Sequence, residues 1–489
     1  MKTTAVLRSQ YPTISFDAIE WRVTDNALHI TFRYSTPPDH SFTHTLTLHN
    51  VTQHDVVAIP PSELHSLLAS LGLVELLSYW KSTVSPVIDV RVAYLDDWQV
   101  AWWHSLLLHG MGEFFFVNQI DPNEKDFVQI VSNTDAMPLS LHSDATVDLG
   151  AGGVPPKPHT ALIPIGGGKD SVVTLTQLQN LYADQAQQSL ASVAINPTQA
   201  TKDIIALSNL SKHFVIDRIL DPTVLRLNQE GYRNGHVPFS ASVAFLTTLL
   251  ARLKDFDAIA LSNERSANEG NTTLFGQEIN HQYSKSFHFE TAFQEYAHRT
   301  LSSKNTIPPY YFSLLRPLYE LQIGMLFAHQ ERFHPVFRSC NRGRKTNTWC
   351  QDCPKCLFAF IIIFPLLEQS EIENYCGSNL FENKKLITTA VDLTGYGKNK
   401  PLECVGLYEE SIISFWLAVR VYQENKKNLP VVLQKVQQRV LLHEKNLPER
   451  AKALITGWST EHAVPINLAE NLQNQLAVDI PSARESLGI

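Results

Sequence analysis

One hexapeptide constrains this chain more than any other stretch: Gly166-Gly167-Gly168-Lys169-Asp170-Ser171, with the apolar run Ala161-Leu162-Ile163-Pro164-Ile165 before it and Val172-Val173-Thr174-Leu175 after it. That order predicts a strand, a glycine turn and the start of a helix. Bare backbone N–H groups and the positive end of the helix dipole then face one point, which makes a cradle for a phosphate. Proline cannot donate to a sheet ladder, so Pro164 is expected at the end of its strand. The bland alternative is a connecting turn, because an Asp-Ser pair also caps helices.

Spacing narrows the kind of cradle. A Walker A loop needs glycine where Ile163 stands and Ser or Thr where Asp170 stands. A dinucleotide fingerprint counted from Gly166 needs glycine at Ser171. Both patterns fail. What remains resembles the PP-loop of ATP pyrophosphatases, Ser-Gly-Gly-x-Asp-Ser, with Gly167, Gly168, Asp170 and Ser171 in matching positions and Gly166 replacing the leading serine. The resemblance implies cleavage of ATP between its α and β phosphates, with AMP attached to a substrate oxygen and pyrophosphate released. Lys169 would neutralise the departing group, and Asp170 would hold Mg2+.

After the loop, Leu190 to Ile195, His213 to Ile216 and Asp257 to Leu261 read as buried parallel strands, each preceded by a helical stretch. The expected fold class is therefore α/β, a doubly wound parallel sheet of the PP-loop (adenine nucleotide alpha hydrolase-like) type. Ligands in such sheets sit beyond the carboxyl ends of the strands. This places Asn196, Asp217 and the run Ser262-Asn263-Glu264-Arg265-Ser266 at the pocket, although a surface ion pair explains Glu264 and Arg265 as well.

At 489 residues the chain is too long for one core. The expected division is an N-terminal α+β domain over 1–149, a Gly/Pro linker over 150–158, the ATP-binding domain over 159–335, a cysteine cluster with a buried helix over 336–370, and a helical C-terminal domain over 371–489. Hydrophobic residues at 44% and charged residues at 18% describe a folded, soluble chain. The N-terminus lacks the apolar core of a signal peptide, and the longest apolar run, Cys356 to Leu367, is interrupted by Pro365 and too short to span a bilayer. A cytoplasmic location with no membrane partner follows. A net charge of −8 without a dense basic run disfavours nucleic acid and favours a small-molecule substrate. Nothing in the sequence assigns an oligomeric state.

Four of six cysteines, Cys340, Cys350, Cys353 and Cys356, fall in a C-x9-C-x2-C-x2-C pattern. In a cytosolic chain this reads as a closed, structural four-thiolate zinc site, with an iron–sulfur cluster or unligated core thiols as alternatives. The intervening Arg342, Arg344 and Lys345 either offset the thiolate charge or meet substrate phosphates.

Taken together, the glycine loop, Ser262 to Glu269, Asn280-His281-Gln282-Tyr283-Ser284-Lys285-Ser286, the four cysteines, Lys400-Pro401-Leu402-Glu403-Cys404-Val405-Gly406 and Trp102-Trp103-His104-Ser105 resemble the MurL family, the UDP-N-acetylmuramoyl-L-alanyl-L-glutamate epimerases of bacterial cell-wall synthesis. The resemblance implies inversion of a terminal L-glutamate through an acyl-adenylate, because a free carboxylate cannot absorb the charge of a departing α-proton whereas an activated carbonyl takes it as an enolate. Candidate proton donors and acceptors are His281, Tyr283, Lys285, Glu403 and Cys404, with His288 and His298 behind them. For any one of them an ordinary core or surface residue is the stronger reading, since a lone His or Cys is more often that than a catalyst. Trp102 and Trp103 are expected near the UDP-sugar. Two other readings stay open: a PP-loop enzyme acting on a nucleobase or tRNA, similar to the 7-cyano-7-deazaguanine synthases, and an ATP-binding module without chemistry.

Overall fold

The structure is a computed structural model in which residues 2–139, 158–302 and 306–487 are described. Its twelve strands are β1 (Thr13–Thr24), β2 (Ala27–Thr36), β3 (His40–His49), β4 (Val87–Val90), β5 (Gln129–Ser132), β6 (Ala161–Pro164), β7 (Leu190–Ile195), β8 (His213–Ile219), β9 (Ala258–Leu261), β10 (Thr272–Leu274), β11 (Gln277–Ile279) and β12 (Tyr310–Ser313). Ten of them form one sheet in the order β12-β9-β6-β7-β8-β3-β2-β1-β4-β5, and β10 with β11 makes a separate hairpin.

From β12 to β8 every pairing is parallel. Numbered along the chain, that half reads 3-2-1-4-5 from β8, the order of a doubly wound sheet. The central strands are largely apolar because helices cover both faces; every residue of β9 and the first five of β7 are buried. Pro164 is the last residue of β6, as its missing N–H requires. The chain reverses direction across the sheet between β6 and β9, so the loops leaving their carboxyl ends open a crevice. The glycine loop follows β6 and Ser262 to Ser266 follows β9.

The other half begins as an antiparallel meander, β1-β2-β3. Asp25 and Asn26 make its first turn with φ of +52° and +58°, the left-handed pair that a two-residue hairpin demands and that Asp and Asn tolerate. In β3, His40, Phe42, His44, Leu46 and Leu48 all face inward, so period-two burial sets the register. β3 then pairs antiparallel with β8, Thr45 opposite Ile219 and Leu48 opposite Ile216. The segments expected as separate domains over 1–149 and 159–335 thus share one sheet, while residues 150–157 of the expected linker lie outside the described residues.

A long helix, Pro61–Thr83, fastens the two halves. It is buried on nearly all sides, and the missing side chain of Gly72 lets its backbone lie against the Phe16 ring, where a Cβ would stand 2.1 Å from a ring carbon. Its fully buried Glu75 takes Nε of Arg218, from β8, at 2.9 Å. Its equally buried Glu63 takes Arg252 at 2.7 Å. On the opposite face, the Lys169–Tyr182, Glu320–Ala328, Pro354–Ile363 and Tyr408–Glu424 helices share one apolar core, so the C-terminal helices continue the packing of the central sheet.

Candidate active site

Gly168 is the N-cap of the Lys169–Tyr182 helix and makes no side-chain cap bond, which leaves first-turn N–H groups free to face a ligand. Gly167 has φ of +98° and lies against Thr201 and Ala200, so glycine is needed there. Gly166 borders open space. Its departure from serine is therefore not forced by packing and widens the cradle. Ser171 donates to the Gly168 carbonyl at 3.0 Å, and the Gly167 carbonyl accepts from Arg338 N at 2.9 Å, which ties the loop to the segment leading into the cysteine cluster.

A cavity of about 290 Å3 opens here, walled by Gly166, Gly168, Asp170, Ser171, Asn263, Glu264 and Lys285, with Arg338, Arg344 and Lys355 on the cysteine-cluster side. Phe239, 36% exposed, presents a ring to it. An inner recess continues past Lys169, Glu320 and Cys404. Lys169 turns into this recess rather than toward the open cradle and is held by both Asp170 and Glu320. Burial pushes Glu320 up to about 8 against the pull of Lys169, and Asp170, Glu264 and Glu410 add to the push.

Arg316, fully buried, joins the two loops that wall the recess: it donates to the Glu264 carbonyl at 2.8 Å and to the Lys285 carbonyl, with Glu290 at 3.1 Å as its counter-ion. Asn263 donates to Ser313 at 3.0 Å. Arg265 leaves the cradle and lies over the Tyr319 ring at 4.4 Å, so Glu264 and Arg265 are not an ion pair. Asn196 and Asp217 are not among the walls. Asn196 exchanges two hydrogen bonds with the Arg218 backbone, and Asp217 takes His49 at 2.7 Å on the sheet.

Three of the sequence-derived proton-transfer candidates come together. Lys285 Nζ lies 3.3 Å from Cys404 Sγ, and His281 is close enough to the same sulfur for each to shift the other's titration. Burial alone raises the Cys404 thiol, but Lys285, Lys355 and His281 outweigh it and bring Cys404 down to about 6. Burial likewise opposes the charge on His281, yet Cys404 and Glu113 lift it to about 9. Each partner thus favours the other's charged form, thiolate on Cys404 and imidazolium on His281. Tyr283 turns away: it stacks on His109, bonds His288 at 3.0 Å, and lines a separate cavity of about 480 Å3. Glu403 stands near the cysteine cluster instead, accepting from Asn341 at 3.2 Å and from Lys355 N at 3.3 Å, with burial raising its carboxyl. His298 is set apart, its Nδ1 buried without a partner.

The four cysteine sulfurs lie within 4.8 Å of one another. Cys350 and Cys356 Sγ are 3.8 Å apart, the edge of a tetrahedron built on Zn–S bonds of about 2.3 Å. Gly343 permits the turn, since a Cβ there would stand 1.9 Å from the Thr348 carbonyl oxygen, and its N–H donates to Cys340 Sγ at 3.1 Å. This cluster is able to bind zinc. Arg344 faces the cradle, Arg342 pairs with Asp352 at 3.5 Å, and Lys345 is exposed, so of the three basic residues only Arg344 is positioned for a phosphate.

Sequence reasoning missed Glu113, His236, Glu320, Arg338 and Lys355. Glu113 Oε2 meets His281 Nδ1 at 2.5 Å across 168 positions, beyond any local pattern. Trp102 and Trp103, expected near a UDP-sugar, instead pack in the core with Tyr296 and Phe245, donating to the Ala292 carbonyl at 2.9 Å and the Tyr296 hydroxyl at 3.2 Å. Among the described residues no helix is long and apolar enough to cross a membrane.

The sequence profile of the MurL N-terminal domain matches residues 6–314, and that of the MurL C-terminal domain matches residues 336–450. Three relatives carry the name UDP-N-acetyl-alpha-D-muramoyl-L-alanyl-L-glutamate epimerase. The one from Xanthomonas oryzae pv. oryzae is 32% identical over 354 residues, 70% of this chain and 72% of its own. That of a Micromonospora species is 31% identical over 440 residues, 86% of this chain and 88% of its own. The Salinispora tropica relative is 30% identical over 434 residues, 86% of each chain. No solved structure matches. Two domain profiles and three long alignments agree with the motif-based expectation: this chain belongs to the MurL family.

Proposed function

We propose that this chain inverts the terminal L-glutamate of UDP-MurNAc-L-Ala-L-Glu to D-glutamate during peptidoglycan precursor synthesis, in the cytoplasm and at the expense of ATP. One observation carries the reading: Cys404 and Lys285, with Sγ and Nζ 3.3 Å apart, line the recess that continues from the glycine loop, and His281 lies near enough to bias the Cys404 thiol toward thiolate. Activation and proton transfer can then act on one bound carboxyl group.

The free N–H groups of Gly168 and the helix turn after it receive the ATP phosphates, and Lys285, Arg338, Arg344 and Lys355 face their charge. Mg2+ held by Asp170 and Glu264 would supply further neutralisation of the phosphates. A carboxylate oxygen of the terminal glutamate attacks the α-phosphorus, pyrophosphate leaves, and an acyl-adenylate forms. Cys404, as thiolate, removes the α-proton, and the electron pair moves onto the carbonyl oxygen, where Lys285 stabilises the enolate. Reprotonation draws on His281, the protonated member of the pair. Water then attacks the acyl carbon and releases AMP. Cys340, Cys350, Cys353 and Cys356 would hold zinc in a closed structural site, bracing the wall that carries Arg338, Arg344 and Lys355 without entering these steps.

The test is incubation with ATP, Mg2+ and UDP-MurNAc-L-Ala-L-Glu in deuterated water. The expected products are AMP, pyrophosphate and a D-glutamyl product with deuterium at Cα. No AMP and no deuterium would overturn the reading. Neither a nucleobase substrate nor a catalytically silent module accounts for a lowered Cys404 thiol in that recess.

A further inference from the structure

We infer that Glu113, contributed by the N-terminal half of the sheet, is the positioning residue of the proton-transfer pair: by binding His281 Nδ1 it orients the ring and leaves Nε2–H as the donor toward Cys404. This rests on the reading of Cys404 and His281 given above. Glu113 lies in the first turn of the short Gly112–Asn118 helix, which follows the Asp97–Gly110 helix almost at once. Its carboxylate is mostly buried, 19% exposed, and its Oε2 is 2.5 Å from His281 Nδ1. Because a ring nitrogen bonded to a carboxylate must carry hydrogen when the ring is charged, the choice of tautomer passes to the second nitrogen.

The groups around His281 explain why one carboxylate suffices. His236, from the segment preceding the Phe239–Leu253 helix, packs its ring 4.7 Å from the His281 ring. Its own Nδ1 is buried without a hydrogen bond and stands 3.7 Å from Glu113 Oε2. Burial, the nearby charge on His281, and Lys81 and Lys285 push His236 down to about 4 despite Glu113, so it stays neutral and does not compete for the carboxylate. On the other side, Cys404 and Lys285 complete the surroundings. Glu113 is thus the carboxylate that faces His281, and it remains ionised because His281 and His236 lower it against the cost of burial.

The consequence is a division of labour between half-reactions. Adenylation uses the glycine loop and its cations, none of which touches Glu113. Proton transfer uses His281, which does. Turnover in the native protein is expected to rise as Cys404 loses its proton near 6 and to fall as His281 loses its proton near 9. In Glu113→Gln, a near-isosteric change, His281 loses one of its two anionic partners while Cys404 remains, and its titration drops well below the native value. The falling limb then moves toward the rising one and the active window narrows.

The experiment measures three quantities on native, Glu113→Gln and Glu113→Asp proteins: substrate-dependent exchange of labelled pyrophosphate into ATP, deuterium incorporation at Cα, and the pH profile of epimerisation. The expected result for Glu113→Gln is exchange within about twofold of native, KM for the dipeptide substrate similarly unchanged, and kcat for inversion reduced about 100-fold at pH 8. Glu113→Asp should recover part of the loss and restore the alkaline limb. An unshifted profile in Glu113→Gln overturns the positioning role. Equal loss of pyrophosphate exchange and inversion overturns it too, because the residue would then act on the whole site. A second bound metal ion per chain, beyond that of the cysteine cluster and lost in Glu113→Gln, would also overturn it, since Glu113, His236 and His281 would then be ligands. Native protein that makes AMP without any Cα deuterium would instead defeat the epimerase reading on which the inference depends.

Discussion

Replacing Lys285 with methionine removes the cation nearest the Cys404 sulfur while keeping the length of the side chain, and its effect can be worked from one distance. At 3.3 Å, and with an effective dielectric constant of about 20, the attraction between the ammonium and the thiolate is about 5 kcal/mol. That exceeds three pKa units at about 1.4 kcal/mol each, enough to offset the burial that would otherwise raise the thiol. With Cys404 near 6, about nine-tenths of it is thiolate at pH 7; at the unperturbed 9.0, about one-hundredth is. Lys355 and His281 remain in the variant, so the thiolate population should fall by a factor between about 10 and 90. The assay is the pH dependence of iodoacetamide alkylation, read by peptide mass spectrometry. Cys376, 2% exposed and pushed up to about 12 by burial, stays silent, and zinc added to the assay would shield the four clustered cysteines. Native Cys404 should titrate near 6 and the variant at least about two units higher. A native midpoint above 8, or a variant midpoint equal to native, would refute the claim that Lys285 sets the thiolate.

Three further outcomes are expected. Asp170→Asn should abolish AMP formation while leaving the urea unfolding midpoint unchanged, because the residue is partly exposed and its loss empties no core. Arg316→Met should cost about 3–5 kcal/mol in urea unfolding, since Glu290 is left buried and unpaired, and should also lower turnover through the Glu264 and Lys285 loops. Cys353→Ser should remove about one zinc ion per chain by elemental analysis and, with it, pyrophosphate exchange, because Arg338, Arg344 and Lys355 lose their anchor.

What was legible in the sequence was local. Gly167 needs its positive φ, Pro164 must end a strand, and four cysteines at short spacing converge whatever surrounds them. The parallel strands were readable as apolar runs because both faces are covered. Direction of a side chain was not readable. Lys169 and Tyr283 sit in the expected segments yet point away from the cradle, one to satisfy buried carboxylates and the other to stack on His109. Asn196 ends the right strand, but its amide is spent on the β8 backbone. Long-range pairs were invisible for a related reason. Glu113 and His281 carry no periodic signal linking them, and neither does the β3–β8 pairing that brings their halves together.

That seam between β3 and β8 bears on how the molecule comes into being. Were the parallel half of the sheet to stand alone, β8 would become an unprotected border with open amides and carbonyls, an invitation to stick to any passing strand. During translation the meander emerges first and must wait, unzipped along β3, until more than 160 further residues deliver its mate. The carboxylate of Glu113 meets its imidazole later still. Competence to move a proton is therefore the last property such a nascent polypeptide acquires, and splitting the gene between the two halves should yield sticky fragments that regain inversion only when expressed together.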